Sequence, residues 1–583
     1  MSEQSELRDG MRIDWDVPIT MDDGIVLRAD VYRPPVDGKY PVILTYGPYA
    51  KGLAFQEGYA DQWQIMAREH PDVVEGSTNK YQNWEVADPE KWVPDGYVCV
   101  RVDSRGAGRS PGYIDHYSPR ETQDFYLCIE WAGSQPWSNG KVGLPGISYH
   151  AINQWHVATL QPPHLAAICP WEGAADWYRD MTHHGGILHT FWANWYKKQV
   201  MIVQHGLGKR GPVNPNTGVL VTGPETLSDE ELARNRSSLG EEILAHPLDD
   251  DYHRERSPDW SKVTVPMLSP ANWGGQGLHP RGNIEGFVRA ASKQKWLEVH
   301  GLEHWVEFYT RYGVTLQKRF FDCFLKGDDK AWRNQPPVQL QIRTLSGFVQ
   351  RAENEWPIAR TQWTRLYLNP ADRSLSWKSV MTGGSIEYEA LSDDVTFITP
   401  PLEQDTEITG PVAAKLFVSS STTDADLFLV LRVFEPDGNE VVFQGALDPH
   451  TPIGQGWLRA SHRKLDPRLS TEYRPYHTHD VIEPLTPGAV YELDVEIWPT
   501  CIVVPAKYRI ALTVRGKDYE YAGAGAQLAS FVNVMKGCGP FLHDDPRDRP
   551  PEIFGGKVTI YTGGDRPSYV LLPIIPAKDT GSS

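Results

Sequence analysis

Short apolar runs alternate with polar, helix-like segments along the first third of the chain. From about Met11 to Gly173 the strand-like runs are PVILTYGPY, YVCVRVDSRG, KVGLPGIS and LAAICPWEG. Between the second and third lies ETQDFYLCIEWAGSQ, where Phe125, Leu127, Cys128 and Trp131 recur at helical spacing. Strands alternating with helices predict a mostly parallel sheet with its functional loops at the strands' carboxyl ends.

The texture changes from about Ala174 to Lys262. Polar helical stretches such as SDEELARNRSSLGEEILAH sit beside aromatic ones such as HTFWANWYKK, a pattern that predicts an inserted helical cap. VTVPMLSPANW and WLEVHGLEHW then resume the α/β alternation. From Pro337 onward helical periodicity largely disappears, and β-rich segments such as AAKLFVSSS, VYELDVEIW and YRIALTVRG follow one another between Pro, Gly and Asp. A DG turn in DLFLVLRVFEPDGNEVVF marks a hairpin. The expected organisation is a first α/β part at 11–173, a cap at 174–262, a second α/β part at 263–336 and a β-sandwich of jelly-roll type at 337–577.

Composition narrows the partners. A formal charge of -18 over 583 residues argues against nucleic-acid backbones and anionic membrane surfaces. The opening MSEQSELRDG has no apolar signal core, no run is long enough to span a bilayer, and a cytoplasmic location is expected. Cys99, Cys128, Cys169, Cys323, Cys501 and Cys538 are scattered without CxxC pairs, which suits buried thiols in a reducing compartment. His183, His184 and His189 are near one another but lack a metal-binding pattern, so neither a metal nor a cofactor is expected.

The candidate chemistry starts at VGLPGISYHA. Its GIS lies between a predicted strand and the predicted helix HAINQWHVATL, the setting a nucleophile elbow requires, although the fifth position is His150 rather than Gly. Ser148 is therefore a candidate nucleophile; an ordinary serine in a strand-helix turn is the alternative. His304, in LEVHGLEHW, follows a later predicted strand, as the Ser-acid-His order demands. Tyr49, in TYGPYAKG, follows the strand PVILT and could donate its phenol to an oxyanion.

These segments resemble a known family. PVILTYGPYAKG, DGYVCVRVDSRGAGRSPG, QPWSNGKVGLPGISYHAINQW, HGLEHW, ITGPVAAKLFVSSSTTDADLFLVLRVFEPDG and PAKYRIALTV together resemble the cocaine esterase and X-prolyl dipeptidyl-peptidase family of serine hydrolases, which also contains α-amino acid ester hydrolases. The resemblance implies an α/β-hydrolase fold with a helical cap and a C-terminal jelly roll. It implies Ser148 as nucleophile, His304 as base, and Tyr49 with the backbone N–H of Tyr149 as oxyanion donors. Members often form homodimers.

One position departs from the family. The acid should lie in a segment like G-W-x-D, but here the segment reads ANWGGQG, with Gly275 where the aspartate belongs. No Asp or Glu occurs from Trp260 through Ile284. A catalytic histidine needs a carboxylate to orient it, and Glu172, directly after the predicted strand LAAIC, is the candidate for a displaced acid. Glu172 could equally pair with Arg179 or cap the next helix; Glu303 and Glu285 are less well placed.

The expected activity is hydrolysis of a carboxylic ester, or less readily an amide, through an acyl-enzyme. His150, Trp171, Trp192 and Trp305 are candidates for lining a substrate pocket, with helix or cap packing as the competing role. An X-prolyl dipeptidyl-peptidase or acylase is the alternative within the class. Outside it stands a non-catalytic, hydrolase-like protein whose jelly roll binds carbohydrate.

Overall fold

The computed structural model describes residues 4–577. One eleven-stranded sheet is built from β1 (Gln4–Arg8), β2 (Met11–Thr20), β3 (Val26–Arg33), β4 (Tyr40–Gly47), β5 (Val98–Asp103), β6 (Ser138–Leu144), β7 (Leu165–Ile168), β8 (Met267–Asn272), β9 (Lys295–His300), β10 (Val338–Thr344) and β11 (Gly347–Glu353). Their spatial order is β1-β2-β3-β5-β4-β6-β7-β8-β9-β10-β11. All pairs from β5 across to β10 are parallel, and the pairs at both edges are antiparallel. β5 and β8 are buried along their whole length, as strands covered on both faces must be, so they read as continuous runs rather than alternating ones.

Helix α1 (Pro119–Gly133) starts where the Ser118 side chain accepts from the Glu121 amide, with Pro119 in the first turn. It buries Phe125, Cys128, Ile129 and Ala132 against the sheet, while Leu127 and Trp131 are half-buried. Helix α2 (Tyr149–Thr159) follows β6 after a four-residue turn, and α3 (Pro280–Arg289) follows β8.

The sheet continues past residue 336. β10 pairs in parallel with β9 (Leu297↔Val338) and turns back as β11, so this hairpin belongs to the first sheet. The inserted region at 174–262 is made of short pieces: α-helices at 191–195, 229–234, 239–245 and 251–254, with a small hairpin at 183–188.

The C-terminal domain is a twelve-stranded antiparallel sheet wrapped around its own apolar core. Its longest pair joins Thr406–Ser420 to Tyr491–Val504, and Gly438, at φ +94, closes the DG hairpin between Phe434 and Glu440. The two domains share apolar contacts, with Trp273, Val299 and Leu340 of the first packed together with Cys501 and Ile575 of the second.

Candidate active site

The chain leaves β6 and must reverse tightly into α2, which puts Ser148 at φ +55 and ψ -112. Such backbone is strained for a residue with a Cβ and persists only where neighbours enforce it. The Ser148 amide donates to the Trp171 carbonyl at 3.1 Å, and the Ile147 amide to the Glu85 carbonyl at 3.1 Å. Gly146, at φ +130, leaves room for the next turn of α2: a Cβ there would meet the His150 Cβ at 2.5 Å. A Cβ on Gly47 would meet the His150 ring at 2.3 Å. The imidazole at the motif's fifth position thus fills the space between β4 and the elbow. Its Nδ1 faces the Tyr46 carbonyl at 3.2 Å, and burial lowers it to about 3, so it is neutral.

Glu172 leaves the carboxyl end of β7, which lies between β6 and β8, and its backbone is also left-handed at φ +48. Its amide donates to the Pro270 carbonyl at 2.8 Å, and the Asn283 side chain accepts from Gly173 at 2.7 Å, so β8 and α3 clamp the loop. The carboxylate lies 3.1 Å from His304 Nδ1 and 3.0 Å from His300 Nε2. Burial alone would raise its pKa, but His304 and His300 outweigh burial and bring it to about 2. Arg179 binds Asp176, Asp249 and two backbone carbonyls rather than Glu172. Glu303 turns toward His70 at 3.9 Å, and Glu285 pairs with Arg474 at 2.7 Å.

At Gly275 there is no acid, and the neighbouring backbone is in close contact with the C-terminal domain. A Cβ on Gly274 would meet Gly445 Cα at 2.5 Å. The Gly274 carbonyl accepts from the Ala446 amide at 2.9 Å, and the Ala446 carbonyl accepts from the His304 amide at 2.8 Å.

The His304 ring is buried between two carboxylates. Its Nδ1 faces Glu172, and its Nε2 lies 2.7 Å from Glu85 Oε1. Burial favours the neutral ring, but Glu172 and Glu85 raise it to about 9. The imidazole facing Ser148 is His279, whose Nε2 lies 3.5 Å from Ser148 Oγ at the outer limit of hydrogen-bonding distance. The His279 and His304 rings stack at 4.9 Å and 7°. Burial, reinforced by the charge on His304, holds His279 well below the ordinary imidazole range. Neither Glu85 nor His279 carries a signal in the sequence: Glu85 lies in a loop without periodicity, and His279 follows ANWGGQG, whose distinguishing mark is the missing acid.

Tyr49 is held by its own strained neighbour, Ala50 at φ +67, and by Lys51, whose amide donates to Asp103 at 2.6 Å and whose ammonium pairs with Asp30 at 2.9 Å. Burial keeps the phenol far above its usual range, so it stays protonated and able to donate; its oxygen accepts from the Trp195 indole at 3.2 Å. Tyr149 opens α2, so its amide has no intrahelical partner. Its phenol bonds Glu121, and lies 2.9 Å from His116 Nδ1.

Aromatic rings run without a break from His304 to Tyr49. Trp84 stands 6.3 Å from His304, Tyr59 stacks on Trp84 at 4.0 Å, and Tyr49 meets Tyr59 edge-on at 6.2 Å. Of the expected pocket residues, Trp305 packs near Trp84 and donates to the Gln62 carbonyl, Trp171 packs on His300, and Trp192 lies among Trp177, Phe191 and Trp195. All three are buried, as is His150, which lines a small cavity of about 20 Å³ beside Tyr49. His184 bonds His543 at 2.8 Å and stacks on His189, and among the described residues no group of His, Cys, Asp and Glu side chains could hold a metal. No helix among those residues is long and apolar enough to cross a membrane.

Comparisons with known proteins agree with this architecture. Residues 23–306 match the X-Pro dipeptidyl-peptidase (S15 family) model, and residues 330–571 match the X-Pro dipeptidyl-peptidase C-terminal non-catalytic domain. The chain is 23% identical to the cocaine esterase of Rhodococcus sp. (strain MB1 Bresler), over 96% of this chain and 98% of that one. A CocE/NonD family hydrolase from Staphylococcus aureus has a crystal structure that superposes with a TM-score of 0.82 at 32% identity, covering 97% of this chain and 94% of that one. An α-amino acid ester hydrolase superposes at 0.66 with 17% identity, covering 97% of each chain, a likeness of fold.

Proposed function

Given that the chain belongs to the cocaine esterase and X-Pro dipeptidyl-peptidase family of serine hydrolases, we propose that it cleaves carboxylic esters through an acyl-enzyme on Ser148. The observation that carries this reading is the strained elbow, which holds a partly exposed Ser148 3.5 Å from the buried His279 imidazole that stacks on His304.

In this mechanism Ser148 Oγ attacks the ester carbonyl while an imidazole takes its proton. We assign that role to His304, with Glu172 on Nδ1 fixing the tautomer and stabilising the imidazolium, the division of labour of a serine triad. His304 must first release Nε2 from Glu85. The tetrahedral oxyanion is met by the Tyr49 phenol and the Tyr149 amide. The imidazolium protonates the leaving alkoxide, and the same imidazole then activates a water that frees the acid. A second reading, with His279 as the base, is favoured by its 3.5 Å approach to Ser148. The ring wall of Trp84 and Tyr59 suits an apolar ester better than a peptide, and the esterase relative supports that preference.

Labelling with a fluorophosphonate probe, followed by turnover of aryl esters, aliphatic esters, anilides and Xaa-Pro substrates, tests the reading. The expected result is a label lost in Ser148→Ala and fastest turnover on esters. Folded protein that takes no label would return the chain to a non-catalytic role, and preferential Xaa-Pro cleavage would make it a peptidase.

A further inference from the structure

Carboxylates and imidazoles alternate across the site. Glu298 lies 2.7 Å from His300 Nδ1, His300 Nε2 lies 3.0 Å from Glu172, Glu172 lies 3.1 Å from His304 Nδ1, and His304 Nε2 lies 2.7 Å from Glu85. A triad needs only the middle of this row. Its last member, Glu85, occupies the nitrogen that a serine would need.

The position of Glu85 is enforced. Its backbone is left-handed at φ +66, and its carbonyl accepts from Ile147, one residue before the nucleophile. Two residues earlier, the Asn83 side chain donates to the Lys51 carbonyl at 2.7 Å, tying the same segment to the Tyr49 loop. The side chain is buried. One short stretch of chain is thus fastened to the elbow, the oxyanion loop and the base.

We propose that Glu85 is a positioning residue for the ester hydrolysis proposed above, one that holds His304 away from Ser148 in the resting enzyme and frees it by taking the Nε2 proton. At rest, both ring N–H groups of the His304 imidazolium donate, one to Glu172 and one to Glu85. On release, the Nε2–H bond breaks and an O–H bond forms on Glu85. The ring is left neutral, with Nδ1–H still on Glu172 and a lone pair on Nε2 for the Ser148 proton. Glu85 then gives that proton to water, so activation releases one proton from the site and the acid limb of the rate follows His304. Burial pushes Glu85 up to about 7, which eases its taking up that proton.

The groups that bear on His304 are Glu172 from the β7 loop, Glu85 from the 82–87 segment and the stacked His279 from the start of α3. His300 and Glu298 act on it through Glu172. Glu85 in turn is faced by His304 and Trp84, with Glu172 and the Tyr49, Tyr59, Tyr117 and Tyr309 phenols near enough to interact electrostatically.

The test is the pH profile of kcat/KM on an ester in the full chain, after fluorophosphonate labelling has established that Ser148 reacts. Removing a carboxylate in contact with an imidazolium lowers the ring's pKa by about a unit or more. Glu85→Gln should therefore move the acid limb down by about one pH unit with KM little changed, and Glu85→Asp should restore it. A lowered kcat with an unmoved limb would overturn the proposal. So would a loss confined to substrates with a free α-amine, which would make Glu85 a substrate ligand. Should Glu85→Gln not fold, ¹⁵N spectra of histidine-labelled wild-type protein decide the matter: His304, assigned with His304→Gln, must be an imidazolium at pH 7, and a neutral ring there defeats the idea. Absence of the label in wild-type protein would instead remove the hydrolase reading itself.

Discussion

Ser148 Oγ and His279 Nε2 stand 3.5 Å apart, while His304 has Glu172 on one ring nitrogen and Glu85 on the other. Two stacked imidazoles thus compete for one role, and substitution separates them. With His304 as the base, His304→Ala should lower kcat by about 10³ or more, and His279→Ala by only about tenfold. The reverse ranking in steady-state kinetics would transfer the role to His279.

Glu172 carries the displaced-acid assignment. Glu172→Gln should keep the far-ultraviolet spectrum and reduce kcat by about 10³. It should also lower Tm, because His300 and His304 would be left sharing a buried site without the carboxylate between them, a loss of about 3–5 kcal/mol for breaking a buried pair. Near-normal turnover would rule Glu172 out.

The pH dependences of activity and stability should oppose each other on the alkaline side. His304 must be neutral to act as base and is raised to about 9, so kcat/KM should climb tenfold per pH unit below that value and level off above it. His300 is raised to about 10, because Glu298 and Glu172 outweigh the effect of burial. Both rings have folded pKa values above their unfolded ones, so their stabilisation is complete below about 6.5 and is lost as pH rises through about 9 to 10. Activity and Tm measured between pH 6 and 10.5 should therefore move in opposite directions; a rate plateau already reached at pH 7 would contradict the raised imidazole.

The fit of His150 can be tested by overpacking. Gly47→Ala would set a methyl group against the His150 ring at 2.3 Å, a contact the structure must move to accept. The expected loss is about 1–3 kcal/mol, seen as a lower denaturation midpoint. His150→Ala in the same background should recover part of it. An unchanged midpoint for Gly47→Ala alone would mean the ring has somewhere else to go.

What the sequence revealed depended on how local each signal was. The Ser148 elbow was legible because strand, turn and helix are contiguous in the chain. Glu172 was legible as a carboxylate just past a strand, although only the order β6-β7-β8 places it beside His304. Glu85 was not legible, since it reaches the site through a backbone bond to Ile147 from a loop whose left-handed conformation no glutamate advertises. QPPVQLQIRT has the same β-rich texture as the segments after it. Its membership of the first sheet is set by parallel pairing with β9, a long-range choice that local pattern does not encode.

The peptide unit around Ala446 reaches from the C-terminal domain to hold both Gly274 and His304. Without the chain after Glu353 the histidine loop would lose a backbone anchor, and Trp273, Val299 and Leu340 would lose their apolar partners Cys501 and Ile575. The C-terminal domain has a core of its own, but it also shares an apolar cluster with the first sheet, so the two domains have a common point of failure. On heating, loss of activity should follow whichever domain melts first, even if that is the one without Ser148.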